Sequence, residues 1–306
     1  MTTRLAAPPA ETAKTPGDTT TSAAHEPARR WSLGRVIGMV ALVLGALVFL
    51  FPFYYMVVGA LQREPQSDLA GAFPNPANLT LDNFGAINEQ VDLARTLVNS
   101  GIFTGGVLLA TLVIGLLAGY ALAQLQFRGR GLVFTAMLLI LVLPFQLFMI
   151  PLYVLIVRSY GLADNYLGMI LPFAVNATAV FIFRQFFVQL PREMFESARI
   201  DGASELDVLR RIAVPLARPA IITALIVTFI GPWNEFLWPF LITKQHDLQP
   251  LAVALANYIS TVAARAANPF GSILAGAVVL AIPAVVIFIA FQRQFVQSHL
   301  GSGVKG

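Results

Sequence analysis

Residues 97–123 read LVNSGIFTGGVLLATLVIGLLAGYALA and contain no Asp, Glu, Lys or Arg. A helix needs ~20 apolar residues to cross the hydrocarbon core of a bilayer, so this run predicts a membrane-spanning helix. Outward from it lie five further apolar segments, near residues 36–59, 132–157, 166–188, 217–243 and 270–291. Those near 132–157 and 270–291 also have long charge-free cores. The segment near 166–188 is interrupted by Pro172 and carries Arg184, and the one near 217–243 contains Gly231-Pro232 and Glu235. The fold expected is all-α: a polytopic membrane protein of six transmembrane helices.

Composition points the same way. The 306 residues are 57% hydrophobic and 12% charged, with a mean hydropathy of +0.73, whereas a soluble domain carries about a quarter charged residues. There is too little polar surface to cover a water-facing globule. The formal charge of +4 and pI near 9.6 do not indicate nucleic acid, because the basic residues are dispersed between apolar segments instead of forming a patch. No cysteine is present, which excludes disulfides, thiolate zinc sites and cysteine nucleophiles.

Charge placement orients the chain. With both termini in the cytoplasm, fifteen Lys and Arg fall on cytoplasmic segments. Only Arg63, Arg95, Arg158, Lys244 and Arg265 fall outside, which satisfies the positive-inside rule. Residues 1–30, rich in Ala, Pro and Thr, cannot bury enough apolar surface to offset ordering entropy and read as a disordered cytoplasmic tail. They do not read as a cleavable signal peptide, because a full-length span follows with no small-residue cleavage site. Residues 60–96 and 244–269 are expected as polar outer loops, the first containing Phe73-Pro74-Asn75-Pro76.

The largest cytoplasmic loop, residues 191–215, is patterned differently. Pro191 suits the first turn of a helix, and Glu193 and Glu196 are favourable near a helix N-terminus. Asp201-Gly202 stops the run, since Gly admits backbone angles that end a helix. Ser204 and Asp207 have capping-box spacing and restart a second helix, on which Leu206, Leu209, Ile212 and Ala213 fall on one face. Pro215 and Pro219 mark entry into the next span. The expected product is a helix–turn–helix elbow at the membrane surface. It could be a solvated loop on lipid headgroups, or a lever that docks in a partner's groove.

The string Glu196-Ser197-Ala198-Arg199-Ile200-Asp201-Gly202-Ala203, followed by Ile212-Ala213-Val214-Pro215, resembles the coupling loop of permease subunits of binding-protein-dependent ABC importers. That pattern is Glu-Ala-Ala, three residues, Gly, nine residues, Ile-x-Leu-Pro; Ser197 and Val214 depart from it by small or apolar replacements. Further stretches are similar to the maltose-type second permease subunit of carbohydrate importers. They are Thr80-Leu81-Asp82-Asn83-Phe84, Asn99-Ser100, Gly119-Tyr120-Ala121-Leu122-Ala123, Phe127-Arg128-Gly129-Arg130, Ile150-Pro151-Leu152-Tyr153, Trp233-Asn234-Glu235-Phe236 and Val304-Lys305-Gly306. The approach to that terminus, Gln297 to Gly303, is more polar than the family's.

The resemblance implies a permease of the bacterial cytoplasmic membrane that pairs with a different sister permease, two ATP-binding subunits and an extracytoplasmic solute-binding protein. The loop, with Glu196, Ser197, Ala198, Asp201, Gly202, Ala203, Ile212 and Pro215, would sit in a cleft of the ATPase, and Lys305 and Gly306 would be a second contact. Glu196, Asp201 and Gly202 would touch the partner directly. The solute would be a sugar, oligosaccharide or polyol, with glycerophosphate-type solutes as the near alternative.

ATP chemistry is expected elsewhere. A P-loop needs Gly-x4-Gly-Lys-Ser/Thr, and the only lysines are Lys14, Lys244 and Lys305, none in that setting. No enzyme activity and no cofactor or metal of its own is expected, with ATP and Mg held by partner subunits. The three histidines are scattered and Glu235 lacks a second intramembrane carboxylate. Gln146, Asn176, Thr178, Asn234 and Glu235 are candidates for the translocation pathway, or else glue between helices. Trp233 and Trp238 read as aromatic-belt anchors or sugar-stacking surfaces. A stand-alone gradient-driven transporter would need internal pseudo-symmetry and a buried ionisable cluster, neither of which is evident. An assembly protein without a pathway is the third reading.

Overall fold

Apolar segments break at Pro144, at Pro172 to Asn176 and after Pro232, whereas Pro52 and Pro283 lie inside unbroken helices. A computed structural model describes residues 33–66, 68–261 and 268–300, with side chains to residue 292. The tail at 1–30, Lys305 and Gly306 lie outside the described residues. The chain divides into two compact units, the first ending at Leu50 and the second beginning at Phe51. Within the first, the described residues are helical and carry exposed apolar side chains such as Leu42, Val48 and Phe49.

Three helices are each long and apolar enough to cross a bilayer: α1 (Leu33–Ala60), α3 (Leu93–Gln124) and Pro269–Gln292 of the last helix. The remaining crossings are bent pairs. The segment expected at 132–157 is not one straight helix. Arg130–Val142 (α4) and Phe145–Ser159 (α5) meet at 101°, because Pro144 offers no N–H to continue the ladder and holds Leu143 in an extended conformation (ψ 125°). Tyr166–Phe173 (α6) and Ala177–Val188 (α7) meet at 49°. Pro172 lies in a 3-10 turn there, and extended Asn176 restarts the helix by accepting the Ala179 N–H at 3.1 Å. The expected span at 217–243 is also interrupted: Arg218–Trp233 (α10) runs through Gly231-Pro232 and stops at Asn234, and Leu237–Ile242 (α11) follows. Pro232 has no N–H to bond the carbonyl four residues back, and the helix ends one residue beyond it.

The segments expected as polar outer loops are partly helical. Residues 60–96 contain α2 (Asp82–Val91) and residues 244–269 contain α12 (Leu251–Thr261). Ile87 and Leu251 are fully buried in one cluster with Ala60, Leu255, Tyr258 and Ala275. Polar clasps fix this end. Asn83 Nδ2 donates to the carbonyls of Ala60 (2.9 Å) and Gln62 (2.8 Å). Its Oδ1 accepts from Asn268, which also donates to the Arg63 carbonyl. A Cβ on Gly271 would lie 2.7 Å from that Oδ1 and 2.6 Å from Asn268 Nδ2, so a side chain there would have to push this amide pair aside. Asn99 on α3 donates to the carbonyls of Asp247 and Gln249 and accepts from Tyr166 Oη at 2.6 Å. Ser100 Oγ accepts the Leu251 N–H at 2.9 Å.

At the other end α3 packs on α7 through missing side chains. A Cβ on Gly119 would lie 2.5 Å from Phe183 Cβ and 2.9 Å from the Arg184 backbone nitrogen. One on Gly115 would lie 3.2 Å from Ala179 Cβ. Small residues four apart let two membrane helices approach closely, and Ala179, Phe183 and Phe187 are fully buried in consequence. Ala217, Ala220 and Ala224 bring α10 into the same cluster.

Gly119→Ala is therefore expected to lower the thermal unfolding midpoint of the detergent-solubilised protein, since overpacking against backbone costs about 1–3 kcal/mol. Gly105→Ala on the same helix meets open space and should be neutral or stabilising, by up to about 1 kcal/mol of helix propensity. Equal midpoints for the two variants would show that the close approach does not limit stability.

Candidate functional site

The first elbow helix, α8 (Arg192–Ile200), starts after extended Pro191; Pro191 thus stands one residue before the helix and not inside its first turn. It ends in a Schellman turn. The Gly202 N–H donates to the Arg199 carbonyl at 3.1 Å and the Ala203 N–H to the Ala198 carbonyl at 3.0 Å. Gly202 has φ +85°, a conformation costing an L-residue about 1–2 kcal/mol. Ala198 and Ala203 turn toward the buried cluster, which accounts for small residues at those positions.

Ser204 opens the second elbow helix, α9 (Glu205–Leu216). Its Oγ accepts the Asp207 N–H at 3.2 Å and donates to Asp207 Oδ2 at 2.6 Å. A π turn at Leu209–Ala213 adds a residue to the turn and rotates the following side chains. The buried face is consequently Val208, Leu209 and Ala213, with Ile212 half-buried. Leu206, expected on the apolar face, is 51% exposed. The elbow meets α10 at 72°.

The inner side of the elbow is anchored by Phe195, which is fully buried and lies 6.3 Å from the Tyr120 ring. Tyr120 also makes an edge contact with Phe187 at 5.6 Å. Glu205 accepts hydrogen bonds from Tyr120 Oη (2.9 Å) and from Arg199 Nε (2.6 Å). The Arg199 hydrogen bond is the main reason the Glu205 carboxyl is held below its ordinary range, and Glu205 in turn raises Arg199. Asp207 is lowered chiefly by the Ser204 hydroxyl.

The outer side is left open. Glu196, Ser197, Asp201, Gly202 and Pro215 are exposed, together with Leu206 and with Ile200 at 86%. Two apolar side chains flanked by carboxylates form a surface suited to an amphipathic groove with cationic edges. The sequence reading did not single out Ile200, nor the anchors Tyr120, Phe195 and Glu205. Phe195, a large apolar residue in an otherwise polar helix, was the signal available for the inner side.

The expected pathway residues do not form one group. Asn176 and Thr178 line a cleft of about 570 Å³ with Phe145, Leu152, Pro172 and Phe173. Gln146 is exposed in the turn after Pro144. Asn234 donates to the Ile230 carbonyl at 3.2 Å, and Glu235 accepts the Trp238 N–H at 3.2 Å, so both side chains patch the break between α10 and α11. Trp233 and Trp238 are buried, correcting both sequence readings. Their indole N–H groups donate to the carbonyls of Leu280 and Gly168, each at 3.0 Å. Among the described residues no cluster of His, Asp or Glu could hold a metal ion.

An all-helical bundle of bent spans bearing an exposed helix–turn–helix elbow defines the class: a multi-span membrane protein. The chain belongs to the family of binding-protein-dependent transport system inner membrane components, whose sequence profile matches residues 111–299. It is 32% identical to the arabinooligosaccharides transport system permease protein AraQ of Bacillus subtilis, over 92% of this chain and 99% of that protein. It is 33% identical to the sn-glycerol-3-phosphate transport system permease protein UgpE of Agrobacterium fabrum, over 87% and 95%. A chain of a bacterial ABC transporter involved in the import of the acidic polysaccharide alginate shares the fold. Its TM-score is 0.72 at 22% identity, covering 87% of this chain and 98% of that one.

Because Glu205 and Asp207 have lower pKa values in the folded elbow than their ordinary 4.5 and 3.8, their contribution is complete above those values. It is lost as pH falls through the lowered ones. Hydrogen exchange of amides 199–208, corrected for intrinsic rate, should show constant protection from neutral pH to about 5 and a fall in stronger acid. Protection that rises on acidification would contradict the assignment.

Proposed function

We propose that this chain is the translocation half-subunit of an ATP-driven importer for a sugar, oligosaccharide or polyol. The relatives named above support that solute class, and the UgpE likeness supports glycerophosphate-type solutes as a second reading. The observation that carries the proposal is the elbow. It is fixed to the bundle on its inner side by Phe195, Glu205 and Arg199, and it leaves Glu196, Ile200, Asp201 and Leu206 exposed. A short amphipathic helix pair held rigidly to spans and open on its far side is suited to a partner's groove.

In this reading the chain pairs with a sister permease and two ATP-binding subunits, and a loaded solute-binding protein docks on the extracytoplasmic face. The positive-inside distribution of Lys and Arg supports cytoplasmic termini and a cytoplasmic elbow. ATP and Mg are held, and ATP is hydrolysed, in the partner subunits, and no cofactor belongs to this chain. Lys305 and Gly306 make a second ATPase contact. Closure of the ATPases moves the elbow, and the elbow moves the spans between outward- and inward-open arrangements. Asn176 and Thr178, on the cleft beside the breaks at Pro144 and Pro172, are the pathway residues of choice; Asn234 and Glu235 serve as helix caps.

Two measurements test this. In the complex expressed with its neighbours, Gly202→Asp and Glu196→Lys should abolish uptake, with ATP hydrolysis uncoupled or the ATPases unassembled, while membrane insertion is unchanged. Normal solute-stimulated hydrolysis in both variants would reject the coupling role, and a tagged complex without an ATPase would reject the importer reading. Thermal stabilisation of the cognate binding protein across a panel of sugars, polyols and glycerol phosphate should single out a carbohydrate. Stabilisation by the phosphate ester alone selects the second reading.

A further inference from the structure

Spans adjoin the elbow in two ways. α7 leads into it through Leu190-Pro191, and α10 leaves it after Leu216, so these two follow the elbow through the covalent chain. The long span α3 has no such link. Its polar tie to the elbow is Tyr120, a little over one turn before the helix ends at Gln124. Tyr120 Oη donates to Glu205 Oε2 at 2.9 Å. The same carboxylate takes Arg199 Nε on Oε1 at 2.6 Å and Arg199 Nη2 on Oε2 at 3.3 Å. One carboxylate therefore joins three elements: α3, the last turn of α8 and the first turn of α9.

The apolar contacts behind it, Phe195 and Val208 against Tyr120 and Phe187, hold the elements together without fixing their register, because hydrophobic contact is non-directional. Hydrogen bonds to a charged carboxylate are short and directional. The Tyr120 side of this one is shielded, its residue being only 4% exposed, so water competes weakly for it.

We propose that Glu205, oriented by Arg199, is the positioning residue that carries elbow movement to α3 through the Tyr120 hydroxyl. This rests on the elbow being the coupling lever, and it goes further in naming the contact and the span driven. Without that bond the elbow still docks, and still pulls α7 and α10. α3, the wall against which both of them pack, is then held to them only by packing and by the Gln124 amide on the Phe187 carbonyl at 2.7 Å, and follows less faithfully.

The test uses the full complex in liposomes with loaded binding protein, measuring solute taken up per ATP hydrolysed. Tyr120→Phe keeps the ring and loses only the hydroxyl. It should leave the complex assembled and hydrolysis stimulated, while uptake per ATP falls at least about fivefold, the lower end of site-to-site coupling. Glu205→Gln keeps an acceptor for Tyr120 and should give a smaller fall. An unchanged ratio in Tyr120→Phe overturns the proposal, as does a parallel loss of uptake and hydrolysis, which marks a merely structural bond. Should Tyr120→Phe not assemble, Arg199→Lys keeps the charge and loses the planar fork; an unchanged ratio there overturns the proposal equally. If Gly202→Asp uncouples and Tyr120→Phe does not, only the clamp fails. If Gly202→Asp assembles and keeps normal solute-stimulated hydrolysis and uptake, the lever reading itself fails.

Discussion

A bilayer offers no water to a backbone N–H or C=O, so every interruption of a spanning helix must be satisfied from within the protein. The architecture follows from how this chain meets that constraint. It breaks its spans at Pro144, Asn176 and Asn234, and the last two breaks recruit local polar side chains. Asn176 caps α7, Asn234 returns a bond to the Ile230 carbonyl, and Glu235 accepts from the Trp238 amide. Trp233 and Trp238 use their indole N–H groups on carbonyls of neighbouring helices. Candidate pathway residues at these places also make bent spans tolerable.

Bent spans in turn explain the form of the two ends. The 72° turn between α9 and α10 keeps the elbow off the line of the span, while Phe195 and Ala213 keep it bound to the bundle. At the opposite end Asn83, Asn99 and Asn268 gather strand-like connections and short helices onto α1, α3 and the last helix by hydrogen bonds to carbonyls. The exposed Arg95–Asp247 pair beside them adds little, because surface ion pairs are worth at most about 1 kcal/mol. Register at both ends is set by amides, hydroxyls and one carboxylate acting between closely packed helices.

Helical class, the number of apolar segments and the presence of an elbow were legible in the sequence, since each depends on local properties. A charge-free run of bilayer length, a Gly after a polar helix and a Ser with Asp three residues later carry their meaning within one or two turns. The Schellman turn at Gly202 and the cap at Ser204 are of this kind. On the second elbow helix Leu209, Ile212 and Ala213 lie on the inner face as expected, while the π turn at Leu209–Ala213 puts Val208, five residues before Ala213, there in place of Leu206. Nothing local announces such a turn.

By itself, then, the sequence determined that this is a membrane-spanning helical protein with a helix–turn–helix elbow, because hydropathy, charge and turn chemistry act over short distances along the chain. Only the tertiary structure decided that Glu205 faces Tyr120 across 85 residues, that Gly119 must be bare for Phe183 to approach, and that Asn234 and Glu235 cap helices. Those roles depend on which helix lies alongside, and neighbours in space are set by packing of the whole bundle.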